Sequence, residues 1–95
     1  MSEQSLTLGH DADNHTYRVE LKPGVWGVVT YKPQGKVLDL DHSHVPSELQ
    51  GQGCGKLLVE AVLSDIEAKG YKVIPTCSYI AYFINKHPRW VDLLA

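Results

Sequence analysis

Between Thr16 and Leu21 apolar and polar positions alternate, with Tyr17, Val19 and Leu21 set against Thr16, Arg18 and Glu20. A period of two is that of a strand with one covered face. Asp11-Ala12-Asp13-Asn14 before it is turn chemistry, so Leu6 to His10 is expected to be the other arm of a hairpin. Pro23-Gly24 breaks the chain next. Val25 to Tyr31 is rich in β-branched and aromatic residues, and Pro33-Gln34-Gly35 is expected to turn the chain again. Lys36 to Val45, with Val37, Leu38 and Leu40, reads as the third strand of this meander, covered on both faces. No helical stretch is expected before residue 50.

The period then changes. Leu57, Leu58, Ala61, Val62 and Ile66 mark one apolar stripe of a helix running from Gly55 to about Lys69, with Gly70 in the left-handed position that commonly ends helices. Lys72 to Thr76 is too short for a helix and contains Val73-Ile74. It is expected to form a strand parallel to the third, reached through the crossover helix. A last helix is predicted from near Ser78 to a stop before Pro88, and the apolar tail from Trp90 to Leu94 is expected to pack back on the sheet. The fold class is therefore α/β (α+β): an antiparallel meander, then helix, parallel strand, helix.

Composition narrows the function. Ninety-five residues are enough for one domain, residues 1–95, with any site on its single core. A net charge of −2 and the lack of any run of Lys or Arg leave no cationic face for nucleic acid. Met1-Ser2-Glu3-Gln4 has neither the charge nor the apolar stretch of a secretory signal, and there is no apolar run of about 18 residues to span a membrane. The expected setting is the cytoplasm, where Cys54 and Cys77 are reduced. Their spacing, without any CxxC, does not suit zinc, and no metal is expected.

Gln50-Gly51-Gln52-Gly53-Cys54-Gly55 joins a strand to an amphipathic helix, at the point where open α/β sheets tend to hold ligands. Three glycines in five positions let backbone amides converge, and the helix start adds unpaired N–H groups and a positive dipole end. Such a loop suits a diphosphate, with Lys56 as a supplementary charge. A phosphate-binding GxxxxGK[ST] loop is not met, since position 50 is Gln and position 57 is Leu. A dinucleotide GxGxxG begins at Gly51 and Gly53 but fails at Lys56.

The pattern QxxGxG is met by Gln50, Gly53 and Gly55. This segment resembles the pyrophosphate-binding signature of the GNAT N-acetyltransferases. The match extends through His42-Ser43-His44-Val45-Pro46, Glu48 to Ala61, Val73-Ile74-Pro75-Thr76-Cys77-Ser78 and His87-Pro88, which are similar to the short single-domain branch of that superfamily. The first half of the chain agrees only in strand order. The resemblance implies a compact GNAT-like fold and acetyl-coenzyme A (or coenzyme A) held by Val45, Gln50, Gly51, Gln52, Gly53, Cys54, Gly55 and Lys56. The alternative for the loop is a tight strand-to-helix connection with no ligand.

Amine acetylation needs a deprotonated amine, a polarised thioester carbonyl and a group to meet the departing thiolate. The resemblance places the Val45 amide on the carbonyl; Pro46, lacking an N–H, does not compete. Cys77, ahead of a helix, is in a setting that favours thiolate. In the short branch such a cysteine acts near the thioester, as nucleophile or as acid; a buried structural cysteine is the bland alternative. Longer members carry a tyrosine late in the last helix as general acid, but Ile84 stands there here. Tyr79 and Tyr82 nearby read as core residues with satisfied hydroxyls, a catalytic phenol being the other reading.

His42 and His44 share one strand face, with Asp41 and Ser43 opposite. His42 matches the histidine of the short branch and is the candidate base, or else a hydrogen-bonded structural residue; His44 stands where that branch has an acidic residue. Cys54 is expected to contribute its amide and not its thiol, its small side chain packing under the cofactor. His10 and His15 read as loop residues and His87 as a helix-end cap.

Lys22-Pro23-Gly24 leaves no room for the acceptor-gripping helices of longer members, so the expected acceptor is an amine on a large molecule, a protein lysine or N-terminus. A coenzyme A-binding sensor or partner module with little catalysis is the second reading, and a partner-binding domain without cofactor the third.

Overall fold

The alternating half of the chain builds a four-stranded meander: β1 Thr7–Asp11, β2 Thr16–Lys22, β3 Val25–Gln34 and β4 Val37–His44. A 3-10 turn, Ser47–Leu49, leads to α1, Cys54–Ala68, then β5, Lys72–Ile74, α2, Ser78–Lys86, and a 3-10 segment, Pro88–Leu93. The computed structural model describes residues 7–50 and 53–95. The sheet order is β1-β2-β3-β4-β5, antiparallel until β5, which pairs with β4 in parallel.

Tyr17, Val19 and Leu21 are buried, as the alternation requires, and join Val29, Tyr31, Leu38 and Leu40 under the helices. β3 does not turn at Pro33. It runs on to Gln34, with Pro33 opposite Leu38, and the reversal falls at Gly35 and Lys36, where Gly35 supplies a φ of 67°. Proline is tolerated here because its position is exposed at the strand end.

β4 is covered on one face only. Leu38 and Leu40 are buried, Asp39 and Asp41 are half-buried, and His42 and His44 are exposed. Residues 47–49, read as non-helical, form the 3-10 turn that buries Leu49. The β3–β4 register shifts between Thr30 and Tyr31, which makes Asp41 a bulge residue. Its carboxylate therefore accepts from Thr30 Oγ1 at 2.7 Å, on the side of His42, whose register partner is Thr30. The simple alternation that set Asp41 opposite His42 fails at that bulge. Ser43, paired with buried Val29, stays on the core face.

In α1 the buried residues are Cys54, Leu58, Val59, Val62, Leu63 and Ile66, while Leu57 is exposed and Ala61 half-buried. The stripe is thus turned by one position from the expected one; with both 57 and 58 leucine, periodicity alone does not choose between them. α1 approaches the sheet closely over Gly27, where a Cβ would meet Leu21 Cδ1 at 2.9 Å and Leu58 Cδ2 at 3.1 Å. Its far end is closed by Tyr71 N–H to Ile66 O (3.2 Å) and Gly70 N–H to Glu67 O (3.0 Å), with Gly70 at φ 79°.

Buried Tyr17 donates to Asp65 Oδ2 at 2.7 Å, and Lys69 pairs with the same oxygen at 2.8 Å, tying β2 to α1. Burial pushes the Asp65 carboxyl up, but hydrogen bonds from Lys69 and Tyr17 outweigh it, and the net direction is down from the ordinary value. The tail buries Trp90 and Leu93, and Ala95 N–H bonds Val73 O at 2.9 Å along the outer edge of β5.

Candidate active site

The parallel pairing of β4 with β5 is short. It begins at Val37 with Lys72 and ends at Asp39 with Ile74. Two further ties follow, the Cys77 N–H to Leu40 O at 2.8 Å and a hydrogen bond from the Thr76 hydroxyl to Asp39. β4 then continues to His44 while the other chain turns into α2, so the two part and leave an opening.

That opening is a cavity of about 500 Å³ lined by Ser43, Val45, Leu49, Gln50, Gly53, Gly55 and Tyr79. The Gln50 side chain donates to Val45 O at 3.0 Å and fastens the loop to the strand end. Gly53 is the N-cap of α1, left-handed at φ 77° and ψ 6°, with no side-chain cap bond. Among the described residues the first donor into the helix start is Leu57 N–H, at 3.5 Å from Gly53 O. The amides of Cys54, Gly55 and Lys56 lie in the first turn of α1, the part of a helix that suits an anionic ligand. Gly51 and Gln52 lie outside the described residues.

The glycines keep this wall low. A Cβ at Gly53 would have nothing within 4 Å, so φ, and not packing, selects glycine there. A Cβ at Gly55 would meet Tyr79 Oη at 3.0 Å. Tyr79 and Tyr82 are not core residues: they are 40% and 59% exposed, because α2 turns Ile80, Phe83 and Ile84 inward instead. Burial of its hydroxyl raises the Tyr79 pKa above the ordinary phenol value.

Cys77 is the N-cap of α2 and half-buried. Its Sγ lies 3.3 Å from Ser43 Oγ, so it meets the cavity through Ser43. Cys54 is buried, with its thiol in the core, and Lys56 is exposed. His42 is exposed on the opposite face of β4 from Ser43 and is not gathered with Cys77 on one side of the sheet. His87 caps α2, its Nδ1 2.8 Å from Phe83 O. His10 is not a loop residue: it belongs to β1.

Ser43 and Tyr79 line the cavity but are not among the site residues expected from sequence. Ser43 was legible as the residue opposite the histidines, one strand step from His42, but nothing in the sequence paired it with Cys77. Tyr79 lay two residues past Cys77, and only the closeness of the two helix starts brings it to Gly55.

A larger groove, about 730 Å³, runs between β1 and α1, where its polar lining includes Glu60 and Asp65. Two carboxylates repel phosphate. Among the described residues no group of three or more His, Cys, Asp or Glu is placed to hold a metal ion, and no helix is long and apolar enough to cross a membrane.

Residues 15–93 match the family model described as GCN5-related N-acetyl-transferase. The chain is similar to Protein NATD1 of Mus musculus, 34% identical over 86 residues, covering 87% of this chain and 77% of the relative. Protein NATD1 of Xenopus tropicalis is 30% identical over 87 residues, 88% of this chain and 79% of the relative. Among solved structures, the solution structure of a GCN5-like putative N-acetyltransferase from Staphylococcus aureus superposes with a TM-score of 0.68 at 25% identity, covering 100% of this chain and 91% of that one.

Proposed function

The chain belongs to the GCN5-related N-acetyltransferase family, and on that premise we propose that it transfers the acetyl group of acetyl-coenzyme A to an amine. The observation that carries the reading is the cavity where β4 and β5 part, bordered by the uncapped start of α1. Acetyl-coenzyme A supplies an activated acyl carbon on a good leaving sulfur: the neutral amine nitrogen forms a C–N bond to that carbon and gives up one proton, the C–S bond breaks, and the thiolate takes up one proton to leave as coenzyme A.

The residues present suit that group. In this reading the amides at the start of α1, with no side chain at 53 or 55 to cover them, donate to the diphosphate, and Lys56 adds its charge beside them. Gly51, Gln52 and the Cys54 amide complete the loop in this proposal. The Val45 amide, just past the end of β4, orients and polarises the acyl oxygen. Cys77 acts at the same opening, as the thiol that takes the acetyl group or that returns a proton to the departing sulfur, with Ser43 holding its Sγ at 3.3 Å.

His42 is proposed to receive the amine's proton from the uncovered side of the sheet. The two faces then have separate work: the donor lies against the helices, and the acceptor approaches the parted strands from the face that His42 and His44 present. No covering element encloses that face among the described residues, which suits an amine on a protein lysine or N-terminus. The cytoplasm is the compartment proposed for this reaction, and residues 1–95 are proposed to act as one unit.

The test is intact-protein mass spectrometry after exposure to acetyl-coenzyme A, in parallel with a lysine-peptide array. Acetylated peptide, with or without an acetyl group trapped on Cys77, supports the reading, and the trapped group assigns the thiol as carrier. Coenzyme A binding without acetyl transfer to any peptide or to Cys77 would replace it with a binding module.

A further inference from the structure

The two buried phenols of the sheet are already bonded within the protein. Tyr17 donates to Asp65 Oδ2 at 2.7 Å, and the Tyr31 hydroxyl is bonded to His10 Nε2, whose other ring nitrogen lies 3.1 Å from Lys69 Nζ. Tyr79 differs. It lines the cavity at the start of α1, and among the described residues its hydroxyl has no hydrogen-bond partner. Burial nevertheless raises its pKa above the ordinary phenol value, so the hydroxyl is partly desolvated and holds its hydrogen at neutral pH. A polar group in that state gains from an acceptor brought to it.

The chain makes room for this hydroxyl. Gly55 is the second residue of α1 and is not among the glycines with positive φ, so its backbone does not require glycine, and glycine is among the poorest helix formers. What glycine provides there is space: a Cβ would stand 3.0 Å from Tyr79 Oη and 3.2 Å from Cζ. The contact is at the tip of the ring, which brings the polar end of the phenol to the helix start.

The ring is also held from behind. Ile80, Phe83 and Ile84 of α2 are buried, and the Cys77 N–H to Leu40 O bond at 2.8 Å fixes the start of that helix to β4. Two kinds of donor therefore adjoin. The amides of Cys54, Gly55 and Lys56 occupy the first turn of α1, and the Tyr79 hydroxyl lies against the middle residue of the three. A phosphate oxygen is a charged acceptor with capacity for several donors, and a neutral phenol strengthens such a cradle without burying a second cation.

We infer that Tyr79 is a cofactor-binding residue, whose hydroxyl donates to a diphosphate oxygen of coenzyme A at the start of α1 and so adds α2 to the grip of the glycine loop. The inference rests on the acetyl-coenzyme A reading above. It gives the phenol a binding role and not that of an acid at the thioester: its oxygen lies against Gly55, a residue of the phosphate loop in that reading, whereas Val45 and Cys77 are the residues proposed for the acyl group.

The test is coenzyme A binding by Tyr79→Phe, read by titration calorimetry and by the ³¹P spectrum of the bound cofactor, in which the diphosphate and the ribose phosphate give separate resonances. Phenylalanine keeps the ring beside Gly55, so the melting temperature is expected to stay within about two degrees of the parent. The dissociation constant is expected to rise about tenfold, as for loss of one hydrogen bond to a charged acceptor, with the diphosphate resonances displaced and the ribose phosphate resonance unmoved. Tyr82→Phe is the comparison: Tyr82 is 59% exposed and does not line the cavity, and its loss of hydroxyl is expected to change affinity by less than about twofold. Three results for Tyr79→Phe would each overturn the inference and leave the transfer reading standing: affinity within about twofold of the parent, weakened affinity with unmoved diphosphate resonances, or slower transfer at saturating cofactor with unchanged affinity. Failure of the parent protein itself to bind coenzyme A would overturn both.

Discussion

Replacing Gly55 by alanine separates stability from cofactor affinity. The new Cβ would stand 3.0 Å from Tyr79 Oη, 3.2 Å from Cζ and 3.4 Å from Cε2, so the phenol must retreat by a few tenths of an ångström. It can, because Tyr79 is 40% exposed. Near a helix start, alanine is worth up to about 1 kcal/mol over glycine, which offsets the cost of moving the ring. Net stability should therefore change by less than about 1 kcal/mol, or a few degrees in melting temperature.

Binding should respond differently. Gly55 and Tyr79 both line the cavity, and the substitution narrows it from two sides. Coenzyme A affinity, read by titration calorimetry, is expected to fall about tenfold, or about 1.4 kcal/mol. On a Tyr79→Ala background the added penalty of Gly55→Ala should shrink to under about twofold, because the atom it strikes is gone. An affinity within twofold of the parent for Gly55→Ala alone, with the fold intact, would refute the placement of the cofactor against this wall.

Cys77→Ala is expected to reduce acetyl transfer by about 100-fold or more while changing coenzyme A affinity little, measured by product mass and calorimetry. Gly27→Ala puts a methyl group 2.9 Å from Leu21 Cδ1 and 3.1 Å from Leu58 Cδ2, and should destabilise the fold by about 1–3 kcal/mol in denaturant titration. Asp65 has a folded pKa below its ordinary 3.8, so its contribution is full above that value and lost as pH falls through the depressed one. Asp65→Asn should accordingly lower the melting temperature at neutral pH and converge with the parent in strong acid.

The strand order and the two helices were legible because their signals are local: alternation at Tyr17, Val19 and Leu21, and the change of period after Gly55. The break at Pro33 misled because proline interrupts a strand only where the ladder requires an N–H donor, and here it sits at an exposed strand end. The face assignment failed at Asp41, since a bulge is a property of two strands in register and leaves no mark on one. The spacing of the glycine loop pointed only to an anionic ligand; the cofactor reading came from the resemblance of Gln50, Gly53 and Gly55, with the motifs around them, to the GNAT signature. The nearness of Ser43 to Cys77 and of Tyr79 to Gly55 was not legible, since each joins segments brought together only by the crossover. The cluster of His10, Tyr17, Tyr31 and Lys69 was hidden for the same reason: its members come from three strands and a helix end.

The central claim is that the start of α1 holds the phosphates of coenzyme A through its backbone. A ¹⁵N–¹H titration with coenzyme A tests it residue by residue. The account predicts large saturable downfield shifts at the amides of Gly53, Cys54 and Gly55, with smaller ones at Val45. Saturation with those four amides unmoved, the shifts falling instead along the groove beside Leu57 and Glu60, would contradict it.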